Sequence, residues 1–266
     1  MIDIKLTYEY LEVTTQIGCP VKCWKYCPQE VTVKNYSGKR TLSQNDWKII
    51  LSHIPKKIPL VFSGFCEPFA NSETIKLIDM AYETGHPLGI YTTLYQASRD
   101  DVDRLIKYPF LTFCLHLPDG NAMKIPLSQN YKDNVFTVLH NVKNVSFSIM
   151  NDLFKSTNRE NIARGRSIKN NPFRFCVKLT RPQFNLLPNG NVILCSHDFN
   201  LSHILGNLLT ENYSEIRKRF LKNNKKFKLC SLCYNNSFLS ALLIFGKEML
   251  MRLDKTGKVL YYLKAN

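Results

Sequence analysis

The cysteines carry the first chemical signal. There are nine in 266 residues, and most fall in groups. Cys19, Cys23 and Cys27 are spaced Cx3Cx3C. Cys176 and Cys195 flank a stretch containing Pro188-Asn189-Gly190, and Cys230 and Cys233 form a CxxC pair. Cys66 and Cys114 stand apart. An odd count of clustered thiols speaks against a disulfide framework and for metal or iron–sulfur ligation. Three thiolates on one loop can hold three irons of a four-iron cluster and leave the fourth iron open to a chelating molecule. The same trio also suits zinc, or no metal at all. The four later cysteines can ligate every iron of an auxiliary cluster, and they suit tetrahedral zinc equally.

Other polar candidates sit where predicted strands end. Ser63-Gly64-Phe65-Cys66-Glu67-Pro68 follows an apolar run, and the Glu67 carboxylate there can receive a charge-assisted hydrogen bond from an ammonium group. Thr92 and Thr93 close the next strand, and His116 lies near the end of the one after. His116 serves equally as a satisfied structural histidine or as an acid or base facing a substrate. Arg164 is a basic candidate farther on.

The elements that must position these residues alternate. Strands are predicted over Tyr8–Thr15, Pro59–Ser63, Leu88–Thr93, Phe110–Leu117 and Val145–Met150. Helices lie between them: one capped by Ser43 and running to His53, one capped by Asn71 or Ser72 and ended by Gly85, one capped by Ser98 with Asp101, and one over Gln129–His140. That rhythm means parallel βα units, with ligands at the C-terminal strand ends. Beyond about residue 170 it breaks. Leu186–Leu194 reads as a hairpin, a charged helix precedes the CxxC pair, and Phe238–Leu253 reads as a terminal helix with a short strand at Val259–Leu263. The expected fold is α/β: a partial (β/α)6 TIM-like barrel over residues 1–170, a small hairpin-plus-helix domain over 171–235, and a helix and tail over 236–266.

Bulk properties set the class. Hydrophobic residues make up 44%, enough for a sizeable core. No apolar run approaches the ~20 residues of a membrane helix, and the N-terminus is not a signal peptide, so a cytoplasmic protein is expected. The net charge of +15 invites nucleic acid, an anionic substrate or an acidic redox partner; the dense run Arg217–Lys228 reads first as a solvated face.

Together these residues resemble the radical S-adenosylmethionine (SAM) superfamily. The family pattern is Cx3Cx2C with an aromatic residue before the last cysteine, and Tyr26 fills that place. The departure is one extra residue within Trp24-Lys25, so the loop is expected to bulge there. Glu67 matches the carboxylate of the family's Gly-Gly-Glu-like motif, with Cys66 in place of a glycine. The resemblance implies that Ser63, Gly64 and Glu67 hold the SAM amino group, that Thr92 and Thr93 contact its ribose, that Tyr26 packs its adenine, and that Arg164 meets its carboxylate. Cys176-x13-Gly190-x4-Cys195 with Cys230-x2-Cys233 resembles the twitch domain, the short form of the SPASM extension.

What the resemblance implies is a radical SAM oxidoreductase. Its cofactors are SAM, a SAM-binding [4Fe–4S] cluster and an auxiliary [4Fe–4S] cluster. It cleaves SAM reductively to a 5′-deoxyadenosyl radical, with flavodoxin or ferredoxin as the reductant, and passes the substrate's second electron to the auxiliary cluster. The substrate expected is a sugar, a cyclitol or a phosphorylated compound, as for dehydrogenases of the 2-deoxy-scyllo-inosamine type. With 18 residues before Cys19, no leader-binding domain is expected there. The alternatives are a radical SAM enzyme that modifies a peptide or nucleic acid, and a non-catalytic iron–sulfur or zinc protein.

Overall fold

In the computed structural model, residues 9–21, 23, 27–120, 123, 125–150, 178, 181–223 and 227–231 are described. One eight-stranded sheet organises them. Its strands are β1 (Tyr10–Val13), β2 (Leu60–Phe62), β3 (Leu88–Thr92), β4 (Thr112–Pro118), β5 (Val145–Met150), β6 (Gln183–Leu186), β7 (Asn191–Ile193) and β8 (Ile204–Asn207). The order is β5-β4-β3-β2-β1-β6-β7-β8. All pairings from β5 to β6 are parallel, and β7 and β8 add antiparallel.

The helices are α1 (Gln29–Asn35), α2 (Gln44–Ser52), α3 (Thr74–Glu83), α4 (Arg99–Leu105), α5 (Gln129–Asn141), α6 (Tyr213–Asn223) and the short α7 (Lys228–Ser231). Three begin at hydroxyl caps, Ser43 and Ser98 as expected and Ser128 in addition. Asp46 N–H donates to Ser43 Oγ at 3.2 Å, Tyr131 N–H donates to Ser128 Oγ at 3.3 Å, and Ser98 and Asp101 form a reciprocal capping box. The helix expected from Asn71 or Ser72 instead starts at Thr74, with no side-chain cap. Asn71 is buried and serves both ways: its Oδ1 accepts from Glu73 N–H at 2.9 Å just ahead of the helix, while its amide donates to the carbonyls of Thr15 (3.2 Å) and Leu42 (3.0 Å). Helix α1 and strand β8 have no counterpart in the sequence reading. The segments 238–253 and 259–263, read as a helix and a strand, lie outside the described residues.

Alternation along the strands divides the sheet into two faces. Leu11, Val13, Leu60, Phe62, Ile90 and Leu115 pack with the helices in the main core. Trp47 anchors α2 there, its indole N–H donating to Leu77 O at 2.9 Å. Tyr10, Val61 and Tyr91 form a separate cluster on the other face. The hairpin is not a detached layer: β6 pairs in parallel with β1 and antiparallel with β7, so one sheet runs from the βα units into the second unit. Helix α6 closes the base, where Arg217 Nε meets both Glu9 carboxylate oxygens at 2.7 and 2.8 Å. Lys218 and Arg219 pair with Glu215 and Glu211, so the start of the basic run is a paired surface. No helix among the described residues is long and apolar enough to cross a membrane.

The turn after β2 is sterically exacting. Gly64 has φ +94°, and a Cβ there would lie 2.2 Å from Thr14 Oγ1 and 2.6 Å from Asn185 Nδ2. Gly18 shares the left-handed φ (+97°) but faces open space. Gly18→Ala should therefore cost only the left-handed penalty of about 1–2 kcal/mol, whereas Gly64→Ala should cost clearly more through added overpacking. Urea unfolding of the two variants checks this, and equal losses would contradict it.

Candidate active site and metal centre

The C-terminal ends of β1, β2 and β3 converge on one carboxylate. The chain leaving β2 turns through Gly64 into a single 3₁₀ turn, Pro68–Ala70, and Glu67 sits at its N-cap. Glu67 is buried, and burial pushes its carboxyl above the usual range. Four donors work against that. Thr92 Oγ1 donates to Oε1 at 2.5 Å, Thr93 N–H and Thr93 Oγ1 both donate to Oε2 at 2.7 Å, and Phe69 N–H donates to Oε1 at 3.4 Å. Thr92 and Thr93 are thus brought to Glu67 itself, at the end of β3. Thr15 Oγ1, at the end of β1, fixes the same turn by donating to Pro68 O at 2.8 Å.

The thiol loop joins this carboxylate. Glu67 N–H donates to Cys19 Sγ at 3.3 Å. The Cys66 thiol also hydrogen-bonds Cys19 and, with the Glu67 and Val21 N–H groups, holds it toward the thiolate against the effect of burial. The facing Cys19 and burial together push Cys66 far up. Cys27 Sγ receives the Gln29 side-chain amide at 3.3 Å, and that amide also donates to Phe65 O. Cys27 N–H donates to Cys23 O at 2.9 Å. This i→i+4 bond brings the backbone of Cys27 back to that of Cys23. Tyr26 and Trp24-Lys25 lie outside the described residues.

Among the described residues, no three His, Cys, Asp or Glu side chains already stand as a metal-binding group. The donor set nevertheless fits a cluster in type: three partly buried thiols on one loop, two of them facing N–H donors. In the second unit, Cys195 and Cys230 are partly buried against the main core. Buried Asp198 shapes the loop after Cys195, accepting from Ser202 N–H (3.0 Å) and His203 N–H (2.8 Å). The His203 ring packs 5.6 Å from Phe227, just before Cys230, which draws the two cysteine segments together. Cys176, Cys233 and Arg164 lie outside the described residues.

The remaining candidates separate. Ser63 and Gly64 sit in the turn against Thr14, with Ser63 N–H donating to Val13 O at 3.1 Å. His116 lies on β4, on the face away from the helices, with its ring 5.9 Å from that of Tyr91. Sequence reading missed three features. One is the Cys66–Cys19 contact. Another is the seam where Phe65 meets Phe199 edge-on at 4.9 Å, joining the Glu67 turn to the loop after Cys195. The third is a buried polar row: Asn185 Nδ2 donates to Glu12 Oε2 at 3.1 Å, Thr14 Oγ1 to Asn185 Oδ1 at 2.7 Å, and Phe65 N–H to Thr14 Oγ1 at 3.2 Å. The polar phase of Tyr10, Glu12 and Thr14 within an apolar strand was its available signal. A shallow depression lined by Ser52–Pro55, Asn212, Ser214 and Glu215 lies at the opposite end of the strands, away from these groups.

Residues 176–235 match the SPASM family model, an iron–sulfur cluster-binding domain. No curated protein sequence matches the chain. Among solved structures, BtrN in complex with AdoMet and 2-DOIA superposes with a TM-score of 0.65 at 18% identity, covering 85% of this chain and 92% of that one. BtrN in an open conformation gives 0.56 at 17% identity, covering 86% and 91%. Streptococcus suis SuiB bound to the precursor peptide SuiA gives 0.54 at 11% identity, covering 86% and 70%. The chain thus carries a SPASM match on the fold shared by these structures.

Because two threonine hydroxyls serve a buried carboxylate, their worth depends on its charge. Thr93→Val should cost about 1.5–3 kcal/mol, and about 1 kcal/mol or less in a Glu67→Gln background. A double-mutant cycle by urea unfolding reads the difference, and no coupling would show that the hydroxyl does not stabilise the carboxylate.

Proposed function

We propose that this chain is a radical SAM enzyme that oxidises a small polar substrate and holds a second iron–sulfur cluster in its C-terminal unit. The bond from Glu67 N–H to Cys19 Sγ carries the reading, because it joins a thiol loop and a buried carboxylate at one edge of the sheet. The SPASM match over residues 176–235 supports the second cluster.

In this reading Cys19, Cys23 and Cys27 hold a [4Fe–4S] cluster with one open iron, and Cys176, Cys195, Cys230 and Cys233 fully ligate the auxiliary [4Fe–4S] cluster. Residues 1–170 form the SAM-binding part and residues 171–235 the twitch-like part. When bound, the clusters and SAM supply an electron, a 5′-deoxyadenosyl radical and an acceptor for the substrate's second electron. The chain's own residues bind and orient. Glu67 draws the SAM ammonium by its charge, giving up the long 3.4 Å contact from Phe69 N–H to accept from it, and Thr92 and Thr93 fix the rotamer of that carboxylate. Tyr26 flanks the adenine, Ser63 and Gly64 bring backbone close, and Arg164 meets the SAM carboxylate. His116, on the face opposite the helices, is available to a substrate as acid or base. The Phe65–Phe199 seam excludes water between the two cysteine regions. A flavodoxin- or ferredoxin-like protein is the reductant.

The fold of BtrN, crystallised with 2-DOIA, favours a small molecule as substrate, while the SuiB fold keeps a peptide in view. Anaerobic reconstitution should load about eight irons per chain, and about four in Cys19→Ala or Cys195→Ala. With dithionite and SAM, the wild type should release 5′-deoxyadenosine and Cys19→Ala should release none. Four irons and one zinc per chain would remove the electron-acceptor role. Iron loading without SAM cleavage would leave an iron–sulfur binding protein.

A further inference from the structure

The face of the sheet opposite the helices is polar where a packed core would be apolar. Tyr10, Glu12, Gln183 and Asn185 alternate with the core residues of β1 and β6, and all four are buried. Tyr10 Oη donates to Gln183 Oε1 at 3.1 Å and, with Val61 and Tyr91, forms a floor. One layer above that floor stands Glu12.

Glu12 is only 5% exposed. A carboxylate offers about four acceptor sites. Among the described residues Glu12 receives one donor, Asn185 Nδ2 on Oε2, and no cation. Glu67, equally buried, receives four donors. Buried polar groups are normally satisfied, and an under-satisfied one marks a place where something else supplies the partner. Asn185 is meanwhile locked: its Oδ1 accepts from Thr14 Oγ1, which accepts from Phe65 N–H, two residues before Glu67. Glu12 is therefore held in fixed register with the turn that carries the SAM-directed carboxylate.

We propose that Glu12 is the substrate-binding carboxylate, taking an N–H or O–H donor from a small polyol or amino alcohol. This rests on the radical SAM reading and narrows it. A carboxylate facing the substrate repels phosphate, so the phosphorylated class drops out despite the basic surface. Through Asn185, Thr14 and the Phe65 amide, the substrate's position is referred to the cofactor turn, as orientation of a C–H bond toward a radical requires.

The test uses the reconstituted full chain and reads binding by thermal shift and calorimetry. The probes are 2-DOIA, glucosamine, glucose and glucose 6-phosphate. The wild type should bind an amino or neutral polyol more tightly than the phosphorylated sugar. Glu12→Gln, which is isosteric and still accepts from Asn185, should weaken that binding about tenfold or more. Its unfolding midpoint without probe should not fall, because a group kept for binding is not needed for stability. Glu12→Asp, which keeps the charge but withdraws it, should also bind more weakly. Undiminished binding in both variants, tighter binding of glucose 6-phosphate, or no binding of any unphosphorylated probe by the wild type would overturn the proposal. Iron content and SAM cleavage are measured on the wild type in parallel: their absence would sink the radical SAM reading, whereas the variant comparison bears on Glu12 alone.

Discussion

A carboxylate removed from water must be compensated, and this constraint at Glu67 organises the C-terminal edge of the sheet. Its donors come from β3, through Thr92 and Thr93, and from its own 3₁₀ turn, through Phe69 N–H. Its backbone N–H is spent on Cys19 of the thiol loop. Its turn is pinned in addition from β1, through Thr15 and the carbonyl of Pro68. Shifting any one of these strands would leave a buried charge unpaired, at several times the cost of an exposed contact. Strand register and site geometry are thus one requirement. The same requirement explains why Gly64 tolerates no side chain: Thr14 and Asn185 occupy the space because they link the turn to β6.

The second unit is joined to the first at two levels. Backbone pairing runs through β6, shared between the parallel strands and the hairpin. Side-chain packing runs through a smaller hydrophobic cluster of Ile17, Phe65, Leu187, Ile193, Phe199 and Leu201, against which Cys27 packs. Phe65 lies between Gly64 and the Cys66-Glu67 pair, so its ring reaches toward the Cys195 loop while its N–H meets Thr14. A residue with that many obligations cannot move independently, and the two cysteine regions are held at fixed separation by close packing.

Much of this was legible in the sequence because its determinants are local. The strand rhythm, the Ser43 and Ser98 caps, the Asn189-Gly190 turn and the Val145–Met150 strand depend on neighbours within a few residues. What escaped depends on distant partners. Asn71 reads as a helix cap, and that its amide also ties Thr15 and Leu42 to the helix start needed the fold to be seen. Thr92 and Thr93 read as ligand contacts, and that their hydroxyls also serve Glu67 could be seen only in the fold. Strand β8 gains its place from β7, by backbone pairing and through Asn207, whose side chain donates to Asn189 O and Asn191 Oδ1 across the hairpin. Glu12 was visible as a polar phase in β1, yet its meaning needed Asn185, from a strand 173 residues away.

The thiol loop shows how spacing and geometry can part company. A Cx3C pair places its cysteines four residues apart, the separation at which an α-turn closes. The Cys27 N–H to Cys23 O bond is that closure. Residues four apart on a helical turn share a face, about 5–6 Å between Cβ atoms, a relation that would suit two thiols serving one cluster. A Cx2C pair would reach a common face through the tighter i→i+3 relation. Both spacings satisfy the same need, two thiolates on one side of a loop, with different turns. Glu67 N–H and the Gln29 amide supply N–H donors to the sulfurs at the two ends of the loop, Cys19 and Cys27, so both outer thiols are already held by partners outside the cysteine spacing itself.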